Sequence, residues 1–440
     1  MKTAKAVFGI IAISLGLVRR VCGPWILPLL LVLTVPAVVQ AQFSYSVNGG
    51  TITITGYTGP GGAVNIPSEI NNLPVTSIAD DAFWGCTGLT AVTIPSTVTS
   101  IGDGVFDFCA SLTAITVDAL NPFYSSVDGV LCDKSSTTLI EYPGGRGGSY
   151  TVPAGIINVG DFAFAYCSSL TTVAIPKTVT TIGDGAFLYC SSLSTLTVDP
   201  LNPAYSSSVD GVLFNKSQTT LVQYPGGKAG GYAIPNGVTS IDDDALDGCF
   251  HLTWIAIPST VTTIGGSAFA GTGLATVTIP DSVTAIGGAA FYDCTNLAAV
   301  TIPGSVSNIG DYAFGGCTGL TKVYFQSNAP SPNNDLTVFS GDSNATVYYL
   351  AGSTGWGSTF DGLPAMPWPP PPPLVPISLN VQNVYASGIG EILIMTWTNS
   401  SFSLQAAPSA TGAYTDIPDA VSPFVVTASG RQRFFRLQAN

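Results

Sequence analysis

The sequence predicts an α/β-type solenoid, a stack of short coils sharing one parallel strand ladder, and three observations predict it. A segment of the form L-T-x-V-T-I-P-x-x-V-T-x-I-G-D-x-A-F-x-x-C recurs along the chain, with its clearest copies opening at Leu89, Leu170, Leu274 and Leu297. The copies at Leu274 and Leu297 lie 23 residues apart, a period at which chains stack instead of folding around one centre. Each copy also ends its apolar run with a Pro and closes on Phe and Cys, leaving an apolar side that only a neighbouring coil can cover.

Residues 1–41 read as a signal peptide. Lys2 and Lys5 open a basic region that Arg19 and Arg20 extend, Trp25 to Val39 is apolar, and Val39-Gln40-Ala41 suits cleavage before Gln42. The mature chain is therefore expected to be secreted or held at the cell surface, and no later segment is long and apolar enough to span a membrane. Residues 42–74 read as an N-terminal β cap, because Thr51-Ile52-Thr53-Ile54 alternates and Gly59-Pro60-Gly61-Gly62 makes a turn.

Residues 75–325 form the expected solenoid. In one unit Leu89, Val92 and Ile94 are spaced as L-x-x-V-x-I, which puts Val92 and Ile94 on one side of a short strand, and Pro95 ends it. Val98 and Ile101 then point back into the coil, and Asp103 ahead of Gly104-Val105-Phe106 suits the N-cap of one helical turn. Each coil is thus a short strand plus a helical turn. Stacking predicts a single buried column of Phe83, Phe106, Phe164, Phe187, Phe269, Phe291 and Phe314, with Leu246 filling in. Burying each ring stabilises by roughly 1.5–3 kcal/mol, provided a neighbouring coil covers it.

Ile175-Pro176, Ile182-Gly183-Asp184-Gly185-Ala186-Phe187 and Cys190-Ser191-Ser192-Leu193 resemble the BspA-type leucine-rich repeats of bacterial surface antigens. The resemblance runs from about residue 50 to residue 325. It implies an exported, non-catalytic leucine-rich repeat protein that binds other proteins or surface polymers, without naming the ligand.

Two steps break the period, from Leu112 to Leu170 and from Leu193 to Leu252, and the extra stretches match each other. Asn121-Pro122 recurs as Asn202-Pro203, Val127-Asp128-Gly129-Val130-Leu131 as Val209-Asp210-Gly211-Val212-Leu213, and Tyr142-Pro143-Gly144-Gly145 as Tyr224-Pro225-Gly226-Gly227. Each reads as an inserted β-hairpin, the pair arising by duplication of a larger unit. Residues 326–366 are expected to cap the C-terminal end. The proline-rich linker 367–376, with Pro369 to Pro373 consecutive, is an extended spacer. Residues 377–440, with period-two runs such as Ile392-Leu393-Ile394 and Phe434-Phe435-Arg436-Leu437, suggest a small β-sandwich.

Composition narrows function further. Only 9% of residues are charged, against a usual ~25%, and the formal net charge is −13. That acidic balance disfavours nucleic acid as a partner. His251 is the only histidine and sits before Leu252 where a loop is expected, so neither a hydrolytic triad nor a histidine metal site is supplied. Cys86, Cys109, Cys167, Cys190, Cys249, Cys294 and Cys317 fall three residues after the Phe slot with no C-x-x-C pair, which reads as buried free thiols. Asp103, Asp161, Asp184 and Asp311 read as caps in preference to a calcium ladder. No enzyme activity, cofactor or metal is expected, and the chain is expected to act as a monomer.

Strand alternation turns the second and fourth residues after each opening Leu outward. The resulting face is small and uncharged apart from Trp254, which stands among small neighbours, and Lys322 with Tyr324 at the C-terminal edge. Thr276 and Thr278 lie between them. These five residues form the candidate binding site, for adhesion to a protein or, alternatively, to a surface polysaccharide. The competing reading is that an insert hairpin folds over Trp254 and buries it.

Overall fold

The computed structural model describes residues 42–330 and 337–368, together with strands Asn380–Ala386, Gly390–Thr396, Phe402–Ala407, Thr415–Asp416, Phe424–Thr427 and Phe434–Ala439. The leader 1–41 and linker residues 369–376 lie outside the described residues. Within the stack each coil joins its neighbours through three hydrogen-bonded columns.

The first column is the long-strand ladder. Leu89–Ile94 pairs in parallel with Gly62–Asn65 before it and Ala114–Val117 after it. Leu89, Val92 and Ile94 are buried, while Ala91 and Thr93 are half-buried on the other side. The second column is a ladder of two-residue strands: Thr263–Ile264 pairs with Ser240–Ile241 and with Ala285–Ile286, which pairs with Asn308–Ile309. It holds the V-T-x-I part of each repeat.

The third column corrects the expected helical turn, since the described residues contain hydrogen-bonded turns and no helix. Asp81, Phe83 and Gly85 send their N–H groups to Asp103, Val105 and Asp107 of the next coil at 3.1, 3.0 and 2.9 Å. Between them Ala82, Trp84 and Cys86 bond back to Ala79, Asp81 and Phe83 of their own coil. A helix keeps its N–H groups inside the segment, whereas here alternate donors cross to the neighbour. The aspartates act across coils too: Asp80 Oδ1 accepts from Asp103 N at 3.0 Å and Asp161 Oδ1 from Asp184 N at 3.1 Å. This close approach explains the glycine of I-G-D, because a Cβ on Gly102 would run into the Asp80 carboxylate and backbone nitrogen.

The single Phe column is corrected as well: the apolar interior divides into three consecutive cores. Phe83 stacks with Phe106 at 5.2 Å in the first. Tyr142, Phe164 and Phe187 follow at 5.1 and 5.1 Å in the second. Phe269, Phe291, Phe314 and Phe339 continue at 5.0, 5.1 and 5.6 Å in the third. The inserts make the divisions. Side chains alternate along a strand, so Val130–Asp133 sends Leu131 into the first core and Val130 and Cys132 into the second. In the other insert Leu213 faces the second core, and Val212 and Phe214 face the third. Each insert also enters the stack. Thr138–Glu141 pairs with Asn158–Val159 in the two-residue ladder, and Gly148–Thr151 pairs with Leu170–Ile175 in the long one.

The eight described cysteines are free. Seven of the thiols donate to the coil before, among them Cys109 to Phe83 O at 3.1 Å, Cys190 to Phe164 O at 3.0 Å and Cys317 to Phe291 O at 3.1 Å, while Cys132 bonds to Val130 O of its own strand. Burial pushes the Cys109 and Cys190 thiols up to about 12, which leaves them poor nucleophiles. Past residue 377 the described strands form two antiparallel three-stranded sheets. One joins Asn380–Ala386, Gly390–Thr396 and Phe424–Thr427, and the other joins Thr415–Asp416, Phe402–Ala407 and Phe434–Ala439.

Candidate binding face

The inserts that divide the core also divide the long-strand ladder, and its last section is the widest. Thr276–Thr278, Ala299–Ile302, Lys322–Phe325, Thr346–Tyr349 and Leu363–Pro367 pair in parallel one after another, and Thr359–Phe360 closes the edge antiparallel. The earlier sections have three, three and two strands.

Parallel register lines the outward residues of this section into two rows. Thr276, Ala299, Lys322 and Thr346 are paired in one, and Thr278, Thr301, Tyr324, Tyr348 and Met366 in the other. Thr276, Thr278 and Lys322 are exposed and Tyr324 is half-buried, because Val277, Val300 and Val323 take the inner positions between them. Tyr324 is held by its neighbours, with the Tyr348 ring 5.3 Å away and the Trp368 ring 4.5 Å away. Trp368 is anchored in turn by its backbone N–H on Tyr349 O at 2.6 Å. Four of the five expected residues therefore share one sheet.

Trp254 does not join them. Its strand Leu252–Ala256 pairs with Gly230–Ala233 in a separate two-stranded sheet. The indole lies across Gly231, the residue opposite it, where a Cβ would overlap the ring. Trp254 is half-buried in this way, against the strand that follows the insert. Ala256, expected to face outward, is buried.

Tyr348, Met366 and Trp368 were absent from the sequence-based site. Tyr348 and Met366 fell within the expected C-terminal cap 326–366, and their phase relative to Tyr324 depends on a pairing that the interrupted repeat does not fix. Trp368 was hidden by its place at the start of the proline run. Nothing in either row pairs an acid with a base: the rows hold Thr, Ala, Lys, Tyr and Met. Among the described residues no group of three or more His, Cys, Asp or Glu is placed to hold a metal.

With this geometry in view, the chain can be set beside known proteins. Six copies of the BspA type leucine rich repeat region match residues 63–128, 148–225 and 230–344. That is more than half of the chain, and the chain belongs to this family. A leucine rich cell surface protein from Faecalibacterium prausnitzii is 28% identical, over 66% of this chain and 94% of its own, with a TM-score of 0.35. A leucine-rich repeat protein from Eubacterium ventriosum is also 28% identical, over 69% of this chain and 81% of its own, with a TM-score of 0.45. No curated protein matches.

Proposed function

We propose that this BspA-type leucine-rich repeat protein is exported and acts at the cell surface or after release, adhering to a partner protein through the last section of its strand ladder. The observation that carries this reading is the row Thr278, Thr301, Tyr324, Tyr348 and Met366, held flat by the register of the sheet and extended by Trp368. A face built on stacked strands loses little entropy on binding, and its aromatic anchors combine large contact area with few rotatable bonds. Lys322, at the rim of the patch, supplies the one positive charge that orients an approaching partner. Thr276 extends the patch, and Trp254 marks its far border across the break in the ladder. The family is a repeat scaffold, and the composition of the two rows fits binding without catalysis.

A surface polysaccharide is the second reading, favoured by the Tyr324, Tyr348 and Trp368 rings, since sugars pack against aromatic faces. The caps 42–74 and 326–366 close the stack. The linker 367–376 carries the two terminal sheets, which we take to pack as a small sandwich.

The test uses the chain from residue 42 onward, coated on beads and exposed to cell-surface protein and glycan extracts. A Tyr324→Ser, Tyr348→Ser double variant should lose its retained proteins while keeping its melting temperature. Unchanged retention would refute the site, and retention of glycan alone would support the second reading. Protease shaving of intact cells, with sequencing of the mature N-terminus, tests export; cleavage before Gln42 is expected.

A further inference from the structure

Two residues after each Phe of the inner columns the turn holds a residue in the left-handed region. In five coils it is glycine, at Gly85, Gly271, Gly316, Gly341 and, after the Leu246 that stands in for Phe, Gly248, with φ of 68°, 63°, 73°, 91° and 69°, and after Phe291 it is Asp293 with φ of 55°. In three successive repeats an aromatic residue takes the slot, Phe108, Tyr166 and Tyr189 with φ of 58°, 56° and 54°. A bulky side chain is strained there and glycine is not. The interior gives no compensation, since Phe108 is 43% exposed and the two tyrosines are half-buried.

What the three rings do instead is meet outside the coils. Phe108 and Tyr166 lie 3.8 Å apart, Tyr166 and Tyr189 5.0 Å apart at an interplanar angle of 7°. Trp84 joins one end at 5.3 Å and Phe250 the other at 5.6 Å, and these end rings are 57% and 49% exposed. The inner column breaks at both inserts, yet this outer row crosses both. Carboxylates border it: Asp81, Asp107 and Asp247 act on the Tyr166 hydroxyl, and Asp247 and Asp293 on that of Tyr189. Asp107 is only 9% exposed and its Oδ1 has no hydrogen-bond partner.

We propose that this outer aromatic row is a second docking surface, separate from the strand ladder, for a cationic polypeptide segment. Its Lys or Arg stems would lie along the ring rims while their heads reach the carboxylates of Asp81, Asp107 and Asp247. Charge complementarity selects this occupant, because the row is apolar with an acidic border on a chain of net charge −13. A neutral sugar fits less well. Inner rings cover one another's faces, and sugars stack on faces.

The test compares the chain from residue 42 with a Phe108→Gly, Tyr166→Gly, Tyr189→Gly triple variant. Glycine already occupies this slot in other coils, so the variant should melt at the same temperature or higher. A labelled oligopeptide of alternating arginine and serine is the probe, with glutamine replacing arginine in the control. The triple variant should bind the arginine peptide about tenfold more weakly, and the native chain should discriminate against the glutamine peptide by at least as much. The Tyr324→Ser, Tyr348→Ser variant of the ladder face should bind the arginine peptide normally, which separates this surface from the other. Equal affinity of the triple variant, or preference for the glutamine peptide or for a neutral oligosaccharide, would overturn the proposal. Should the triple variant lose its melting transition, Tyr166→Gly and Asp247→Asn taken singly give the same reading, each weakening the arginine peptide or counting against the surface.

Discussion

Asn121 in the first insert and Asn202 in the second fix their chains in the same way. The Asn121 amide donates to Pro95 O and Val98 O at 2.9 and 2.8 Å, and its Oδ1 accepts from Phe123 N and Tyr124 N at 2.9 Å each. Asn202 repeats this on Pro176 O, Val179 O, Ala204 N and Tyr205 N at 2.8, 2.9, 2.8 and 2.8 Å. A few residues on, the copies part. Gln223 is buried and donates to Tyr224 O at 3.1 Å and Ala245 O at 3.3 Å. Its counterpart is the buried Glu141, whose ionised carboxylate has no proton to donate. Burial, reinforced by Asp107, holds Glu141 well above the usual carboxylate range, and burial with Asp81 lifts Asp107 to about 6. In the coil before the second insert Leu188 takes the place of Asp107. One backbone device thus serves two junctions, and only the first has a buried acid within the hairpin itself; beside the second, burial with Asp244 lifts Asp247 of the next coil to about 7.

The largest effect should come from the side chains that face the core across each partition. Leu131→Ala and Leu213→Ala, both at fully buried sites, should each cost about 2–5 kcal/mol in urea unfolding. A cost at one junction alone would break the equivalence of the two hairpins. Asn121→Ala and Asn202→Ala should follow at about 1–3 kcal/mol, again alike, because each strands buried carbonyls and N–H groups.

Glu141→Gln sharpens the contrast. It should stabilise the chain by about 1–2 kcal/mol at pH 7, since the amide can make the bonds Gln223 makes, and Gln223→Glu should do the reverse. The sign follows from linkage. Carboxyls with raised folded-state pKa values keep their stabilising contribution below their unfolded values near ~4 and lose it as pH rises. For Asp107 the loss is complete just above its folded value of about 6. The gain from Glu141→Gln should accordingly disappear below pH ~4 in melts run across the range.

The smallest effect belongs to the cations. Arg146 Nη1 donates to Asp128 O at 2.6 Å with its guanidinium 5.3 Å from the Tyr142 ring centre. Lys228 makes the equivalent bond to Asp210 O at 2.7 Å. Arg146→Lys should therefore keep the hydrogen bond and cost only about 0.5–1 kcal/mol, the contact of the guanidinium with the Tyr142 ring.

The repeat, its strand, the matched inserts and the outward row through Thr276, Thr278, Lys322 and Tyr324 were legible because they follow from local alternation and period. What was not legible depends on neighbours. The second ladder rests on pairs such as Thr263–Ile264, too short for any periodicity. The turn column takes its shape from N–H groups that bond to the next coil, so a helical reading of Asp103 to Phe106 missed the partner. The three cores arise because one hairpin strand is buried on both faces, which a single column of Phe positions does not foretell. Trp254 stood out correctly as a bulky residue, but its place over Gly231 is a cross-coil contact.

The central claim is that two like partitions divide one stack into three cores and that only the first has a buried acid, Glu141, in its own hairpin strand where the second has the amide Gln223. Native-state amide hydrogen exchange at pH 7 tests it most directly. Protection factors across Val130–Asp133 and Thr138–Glu141 should fall below those across Leu213–Asn215 and Thr220–Gln223, and Glu141→Gln should bring them level. Equal protection at the two junctions in the native chain, or one opening energy shared by all three cores, would contradict the account.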